Sequence, residues 1–223
     1  MWVTQVYKNC SSGFFLDFGA FDGVTISNTY FLEKKLGWEG ICVEPNFHFF
    51  SELCRNRNSI CLNGALWPVA NIQLSFVDAH GLSGIQGLST GPTSDLQLRH
   101  TKRIISVSTL NPTDILVNFN APNKIHYMSL DTEGAELDIV SAIDFNTYEM
   151  GLITIEHNHD EVRKTGIREI LVDMYNYEVL QVKNEDWFWK TSTISELTKI
   201  PVSQMISPGI VAQEVERLYG IRE

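Results

Sequence analysis

Residues 13–23 read GFFLDFGAFDG, an apolar run broken only by Asp17 and closed by two glycines, Gly19 and Gly23, with Asp22 between them. A short run of this kind, ending at glycine, is the pattern of a strand buried on both faces. Glycines at the end of such a strand permit positive φ and close backbone approach, and a helix start behind them offers amide donors to a polar ligand. That helix is expected in residues 27–36, SNTYFLEKKL, where Tyr30 or Phe31, Leu32 and Leu36 share one face. Ser27 or Asn28 would cap it and Gly37 would stop it.

Working outward, GICVEP (residues 40–45) is a second strand closed by proline, FHFFSELCRNR (47–57) a helix, and SICLNGALW (59–67) a third strand. Strands alternating with helices argue a parallel sheet covered on both faces, a doubly wound α/β fold. The pattern breaks between residues 68 and 107, where Gly, Ser and Asp accumulate, and a hairpin carrying a long mobile loop is expected. A helix is expected over 112–119, a buried strand in KIHYMSLDTEG (124–134) ending at Asp131, a helix over 135–143, and a strand over 151–161 (GLITIEHNHDE). An amphipathic helix (167–177) and two strands around the turn KNED (183–186) follow. We assign residues 1–190 to one catalytic domain and 191–223 to a C-terminal tail, a terminal helix after a linker.

The 223 residues suffice for one sizeable domain. With 17 basic against 27 acidic side chains the net charge is −10, and basic residues gather only in RHTKR (99–103), so nucleic acid is not expected as a partner. No apolar run approaches the roughly 18 residues of a membrane span, and no signal peptide opens the chain, so a soluble protein is expected. Cys10, Cys42, Cys54 and Cys61 form no CxxC pair, which suggests reduced thiols in a reducing, cytoplasmic compartment.

The sign of the charge selects the ligand of the glycine turn. A dinucleotide site carries G-x-G-x-x-G and places a pyrophosphate on the helix end, and no third glycine follows Gly23 at that spacing. Asp17 and Asp22 beside a pyrophosphate would repel it. They suit the ammonium and sulfonium of S-adenosylmethionine instead. Glu44 ends the second strand 21 residues beyond Gly23, where an acid accepts from the two ribose hydroxyls. NAD shares that feature, so a nicotinamide oxidoreductase stays as a rival, as does a non-catalytic cofactor-binding module.

The segments GFFLDFGAFDGVTISNTYFLEKKLGWEGICVEP (13–45), NGALW (63–67), SLDTEGAELDIV (129–140) and ITIEHN (153–158), in that order, resemble the FkbM-type methyltransferases. The resemblance implies a Rossmann-like class I methyltransferase fold, a mostly parallel seven-stranded sheet with its last strand antiparallel. It also implies O-methyl transfer from S-adenosylmethionine, often to a sugar or polyketide. By position, Asp17, Gly19, Ala20, Asp22 and Gly23 would hold the methionine end, Glu44 the ribose, and Ala65 and Leu66 the adenine. DAHGLSGI (78–85) is similar to the family's lid or acceptor segment, with Ser83 and Gly84 in the matching places. The short segment before the first strand departs from the family and suggests a longer parent chain.

Methyl transfer is an in-line displacement that needs an aligned acceptor and removal of its proton. Open sheets bind ligands at the carboxyl ends of their strands, where Asp131 and Glu133 follow one strand and Glu156, His157, Asn158 and His159 another. His157 is the first choice of base, because its unperturbed pKa near 6.5 suits neutral pH. Asp131 or Glu133 is the second. Alternatively, Asp131, Glu156 and His157 or Asn158 would hold magnesium or manganese. The other histidines (48, 80, 100, 126) and Trp67, Trp187, Phe188 and Trp189 read as packing or surface residues, although His80 could reach an acceptor. The overall expectation is an O-methyltransferase acting on a sugar or glycan.

Overall fold

A computed structural model of the chain describes residues 2–8, 10–88 and 102–218. Its elements run α1 (Trp2–Val6), β1 (Phe14–Phe18), α2 (Tyr30–Leu36), β2 (Glu39–Glu44), α3 (Phe47–Asn56), β3 (Ile60–Asn63) and β4 (Ala65–Leu66). Then come β5 (Gln73–Asp78), a 3-10 turn (His80–Leu82), β6 (Gly84–Ile85), β7 (Arg103–Leu110), α4 (Pro112–Asn118), β8 (Lys124–Leu130) and α5 (Glu136–Ser141). The chain continues with β9 (Glu149–Glu156), α6 (Glu161–Arg168), β10 (Glu178–Val182), β11 (Glu185–Trp189), α7 (Thr191–Thr198) and α8 (Pro208–Leu218).

Seven strands form the main sheet in the order β10-β11-β9-β8-β1-β2-β3. β1 pairs in parallel with β2 and β8, β2 with β3, and β8 with β9, whereas β11 runs antiparallel to both β9 and β10. The sequence reading of a doubly wound sheet with its last strand antiparallel holds. Strand alternation divides β1 between two cores: Leu16 and Phe18 join one, and Phe15 joins the other. Ile115, Leu116, Ile139, Val140, Ile167 and Leu171 cover the first face from α4, α5 and the α6 segment. Trp2, Leu32, Leu53, Ile194, Val211 and Ala212 cover the second from α1, α2, α3, α7 and α8. Among the described residues beyond Lys190 are two α-helices and a short 3-10 turn (Val202–Gln204), and both α-helices contribute side chains to the same core as the sheet.

Several boundaries differ from the sequence reading. The third strand is not continuous through residue 67. It breaks at Gly64, and β4 leaves the main sheet to pair with β7 in a second sheet ordered β4-β7-β5-β6. A Cβ on Gly64 would lie 2.7 Å from Leu110 Cγ, so the crossing needs a residue without one. The expected hairpin is present as β5 and β7, and residues 89–101 of its loop lie outside the described residues. The amphipathic helix begins at Glu161, six residues early, because Asp160 Oδ1 accepts from the amides of Val162 and Arg163; its second half, Glu169–Met174, is π-helical. Ser27, one of the two expected caps, does cap α2: its Oγ accepts from the amides of Thr29 and Tyr30, although Thr29 holds the cap position.

Candidate active site

The carboxyl ends of β1, β2 and β8 open into a cleft lined by Asp17, Gly19, Ala20, Glu44, Ala65, Leu66, Asp131 and Glu133 among the expected residues. Gly19 explains how the ends meet. It has φ +90°, and a Cβ there would stand 1.7 Å from the carbonyl oxygen of Asp131, so β1 and β8 touch backbone to backbone.

Asp17 is 5% exposed. Its Oδ2 accepts a short hydrogen bond from Thr29 Oγ1 and a longer one from Ser27, while Arg57 Nη1 stands 3.6 Å away. Burial raises the carboxyl pKa, and Thr29 and Arg57 oppose the rise. The fully buried Arg57 side chain also donates to Gly23 O (3.1 Å), Thr29 Oγ1 (2.9 Å) and Glu33 Oε2 (2.7 Å). This cation fixes the underside of the glycine turn. Its position at the end of α3 gave no sign of that role, because its partners lie 24 to 34 residues earlier in the chain.

Glu44 is 6% exposed, with Oε2 accepting from Phe21 N (3.0 Å) and Oε1 from Asn46 N (2.8 Å). Burial raises its pKa to about 7; the two amides oppose that, and the charges of Asp17 and Asp78 add to it. Each oxygen keeps a further lone pair for a hydroxyl donor. Ala65 and Leu66, with Phe76 and Ile85, give the same cleft an apolar wall. His80 and Ser83 line it from the 3-10 segment, while Gly84 pairs with Val77 in β6.

Asp22 and Gly23 are not among the residues that line the cleft. Asp22 accepts from Val24 N, Thr25 N and Thr25 Oγ1, which closes its own turn. Gly23 packs against α3, where a Cβ would meet Leu53 at 2.6 Å and Arg57 at 2.7 Å. Sequence reasoning missed Thr25, Ile26, Ser27, Asn28 and Ser129 in the lining. The hydroxyl-rich stretch after Gly23 was the available signal.

At the second mouth, Asp131, Glu133 and Glu156 bring one carboxylate oxygen each within 4.8 Å of one another. Asp131 is open to the cleft but crowded by protein on its other sides. Burial, then the charges of Glu156 and Glu133, pushes its pKa well above the carboxylate range, and Glu156 is raised too, first by burial. One oxygen of each lies within 4.8 Å of the other, close enough for the Glu156 charge to hold a proton on Asp131 more tightly. Asn184 donates to Glu156 Oε1 (2.6 Å) and Asn158 to Oε2 (2.8 Å), which aims Glu156 at Asp131. Glu136 instead serves its own turn, accepting from Thr132 and Gly134.

The structure places His157 elsewhere. It is 1% exposed and does not line the cleft; Nδ1 accepts from His159 N (3.2 Å), and Nε2 stands 3.7 Å from Asp186 Oδ1 without a hydrogen bond. Asp186 is itself held by Arg168 through two bonds of 2.7 Å. The backbone turns at Asn158 (φ +49°) and His159 (φ +59°), so the imidazole faces back toward β11 rather than forward. The metal set expected from sequence changes accordingly, with Glu133 in the place of His157. Three hard oxygen donors would suit magnesium or manganese.

A methyltransferase FkbM domain matches residues 17–184. The chain belongs to the FkbM methyltransferase family. Among solved structures, it is similar to methyltransferase FkbM from Methylobacillus flagellatus KT, with a TM-score of 0.53 at 11% identity over 85% of this chain. The chain spans about half of that structure's length, 48%. It also overlaps more loosely with the N-terminal domain of human METTL16 (TM-score 0.44, 10% identity, 85% of this chain and 67% of that one). A third overlap is with precorrin-6y C5,15-methyltransferase from Geobacter metallireducens GS-15 (TM-score 0.44, 12% identity, 84% of this chain and 85% of that one). No curated protein matches the sequence. S-adenosylmethionine is the cofactor of methyltransferases of this fold. Among the described residues no helix is long and apolar enough to cross a membrane.

Proposed function

We propose that the FkbM domain binds S-adenosylmethionine between β1, β2 and β4 and methylates a hydroxyl group of a sugar or glycan. The observation that carries this reading is the pairing of Asp17 and Glu44 at the ends of adjacent parallel strands, both buried and both open to one cleft. Residues and cofactor fit in three places. Asp17 offers an anion to the cationic methionine end, Glu44 offers two acceptors to the ribose hydroxyls, and Ala65, Leu66, Phe76 and Ile85 offer an apolar wall to the adenine.

When bound, the cofactor supplies an electrophilic methyl group. The chain's own residues hold the acceptor and take its proton. Asp131 and Glu133 line the cleft beside Gly19, and Glu156 stands behind Asp131. The acceptor hydroxyl would donate to Asp131, and the Asp131–Glu156 pair would take up its proton as one base. His157, the base expected from sequence, would position the turn instead. A neutral polyhydroxy acceptor fits a mouth lined by hydroxyl, amide and carboxylate groups better than an anionic one. A second reading, favoured by the convergence of three carboxylates, puts magnesium or manganese on Asp131, Glu133 and Glu156.

Calorimetric titration with S-adenosylmethionine and with NAD tests the cofactor. Micromolar affinity for the first alone is the expected result, and the reverse would return the cleft to the oxidoreductases. Transfer of labelled methyl to a panel of sugars, with and without a chelator, tests the rest. Cofactor binding without turnover on any hydroxyl acceptor would leave a non-catalytic module, and loss of turnover in the chelator would establish the metal reading.

A further inference from the structure

The turn after β8 is bent into the left-handed region at Glu133, φ +57°, where a residue with a side chain rarely sits. Glu136 holds it there. Its carboxylate accepts from the amides on both sides of Glu133, Thr132 N at 2.9 Å and Gly134 N at 3.0 Å, and also from Thr132 Oγ1 at 2.9 Å. Glu136 is 1% exposed, and a carboxylate taken that far from water needs a cation beside it. Among the described residues that cation is the buried Arg163 of α6, with Nε 3.4 Å from Glu136 Oε2. The helix comes close enough because Gly166 lies against Leu137 of α5, where a Cβ would stand 2.9 Å from both methyl carbons.

The same guanidinium has a second hold. Nη2 donates to Leu88 O at 3.0 Å, and Leu88 N donates to Ile85 O at 3.2 Å, so Arg163 reaches the end of β6, whose Ile85 lines the cleft. Asp160 Oδ2 faces Nη2 from the cap of the same helix at 3.8 Å. One buried cation thus joins the turn after β8, in the main sheet, to the β6 segment of the second sheet, and both border the same cleft.

We propose that Arg163 is a positioning residue for methyl transfer, holding the turn of Asp131 and Glu133 in its reacting shape through Glu136 and fixing that turn to β6. The proposal rests on the reading of Asp131 and its neighbours as the proton-accepting side. Arg57 does the corresponding task beneath the glycine turn, so each mouth of the cleft stands on a buried arginine from a nearby helix. A planar guanidinium serves two acceptors at once, whereas an ammonium in its place would keep the charge beside Glu136 and lose the fork.

The test compares Arg163→Met, Arg163→Lys and Ile167→Val, the last a fully buried core residue one helical turn away that controls for lost stability. The readouts are turnover at saturating cofactor and acceptor, calorimetric affinity for S-adenosylmethionine, unfolding stability, and amide exchange at Thr132 and Gly134 by NMR. Arg163→Met should lower turnover by about a hundredfold, the cost of an ångström-scale misplacement, with cofactor affinity within a few-fold of native. Arg163→Lys should recover most of that loss, and Ile167→Val should stay near native. Exchange at Thr132 and Gly134 should quicken in Arg163→Met and remain slow at Phe21, whose amide Glu44 holds. Exchange needs no acceptor, so the same exchange pattern in a protein that methylates nothing would count against the acceptor reading alone. Unchanged exchange, turnover that merely follows unfolding stability across the three variants, or cofactor affinity lost together with turnover would each overturn the proposal.

Discussion

The two halves of the cleft treat their carboxylates in opposite ways. At the ends of β1 and β2, Asp17 and Glu44 stand apart, and each is held by fixed partners, Thr29 with Arg57 for one and the amides of Phe21 and Asn46 for the other. At the ends of β8 and β9, Asp131, Glu133 and Glu156 crowd together, with Glu133 itself at φ +57°. A held carboxylate is a fixed hydrogen-bond acceptor, suited to recognising a ligand; crowded carboxylates share protons, suited to moving one. On the proposed reading, the difference separates a binding half from a reacting half, joined at Gly19.

The largest effect should come from the reacting half. Asp131→Asn should lower methyl transfer by roughly 10²–10⁴-fold, the usual contribution of general acid–base catalysis, with cofactor affinity within a few-fold of native. Calorimetry beside a turnover assay separates the two, and equal loss of both would erase the distinction between the halves. Gly19→Ala should damage both at once, because its Cβ collides with the Asp131 carbonyl at positive φ. A loss of about 3 kcal/mol or more in denaturant unfolding is expected, together with loss of binding.

Glu44→Ala should weaken cofactor binding by about a hundredfold through two lost charge-assisted hydrogen bonds, and should leave turnover at saturating cofactor nearly intact. The pH dependence sharpens the same point. Glu44 titrates near 7 in the unliganded fold, above its unfolded value, so the folded state binds the extra proton between the two. Stability of the free protein should therefore fall as pH rises through that window and level off above about 7, where folding has to tolerate a buried anion. Cofactor affinity should run the other way, rising toward pH 8, because ribose hydroxyls favour the ionised acid. Calorimetry in buffers of different ionisation heat would show a proton released on binding below pH 7; none released would assign the ribose to another group.

The smallest effect should be that of His157→Gln. With its imidazole turned toward Asp186, turnover should change only as far as stability does. A loss matching that of Asp131→Asn would restore the histidine as base.

The binding half was far more legible in the sequence than the reacting half. β1, Gly19 and Glu44 are read from local regularities: an apolar run, a glycine at its end, a strand's length and a proline after it; Ala65 and Leu66 rest on the family resemblance alone. His157 was misjudged because adjacent residues leave a strand on opposite sides, and only the partners decide which side faces the cleft. Those partners, Asp186 and Asn184, sit 29 and 27 residues further along, on another strand and its turn. Asp22 was misjudged for a different reason: an acid before Val-Thr satisfies a local turn as readily as a ligand, and the turn won. The bifurcation at Gly64 was missed because Ala65-Leu66-Trp67 resumes the apolar run directly after Asn63 and Gly64 while the chain changes sheets.

The reversed strand β11 has one more consequence, for the cleft's boundary. Because β10 and β11 join by a turn of two residues, Lys183 and Asn184, the sheet ends on this side in a tight corner instead of a long crossover. That corner is pinned to Glu156 and to the His157 and Asn158 amides, so it forms a standing wall. On the opposite flank the cleft is bounded by His80 and Ser83, where the chain follows a short 3-10 turn rather than a paired strand. Corner and turn belong to different sheets, so a substitution in one leaves the strand pairing of the other in place.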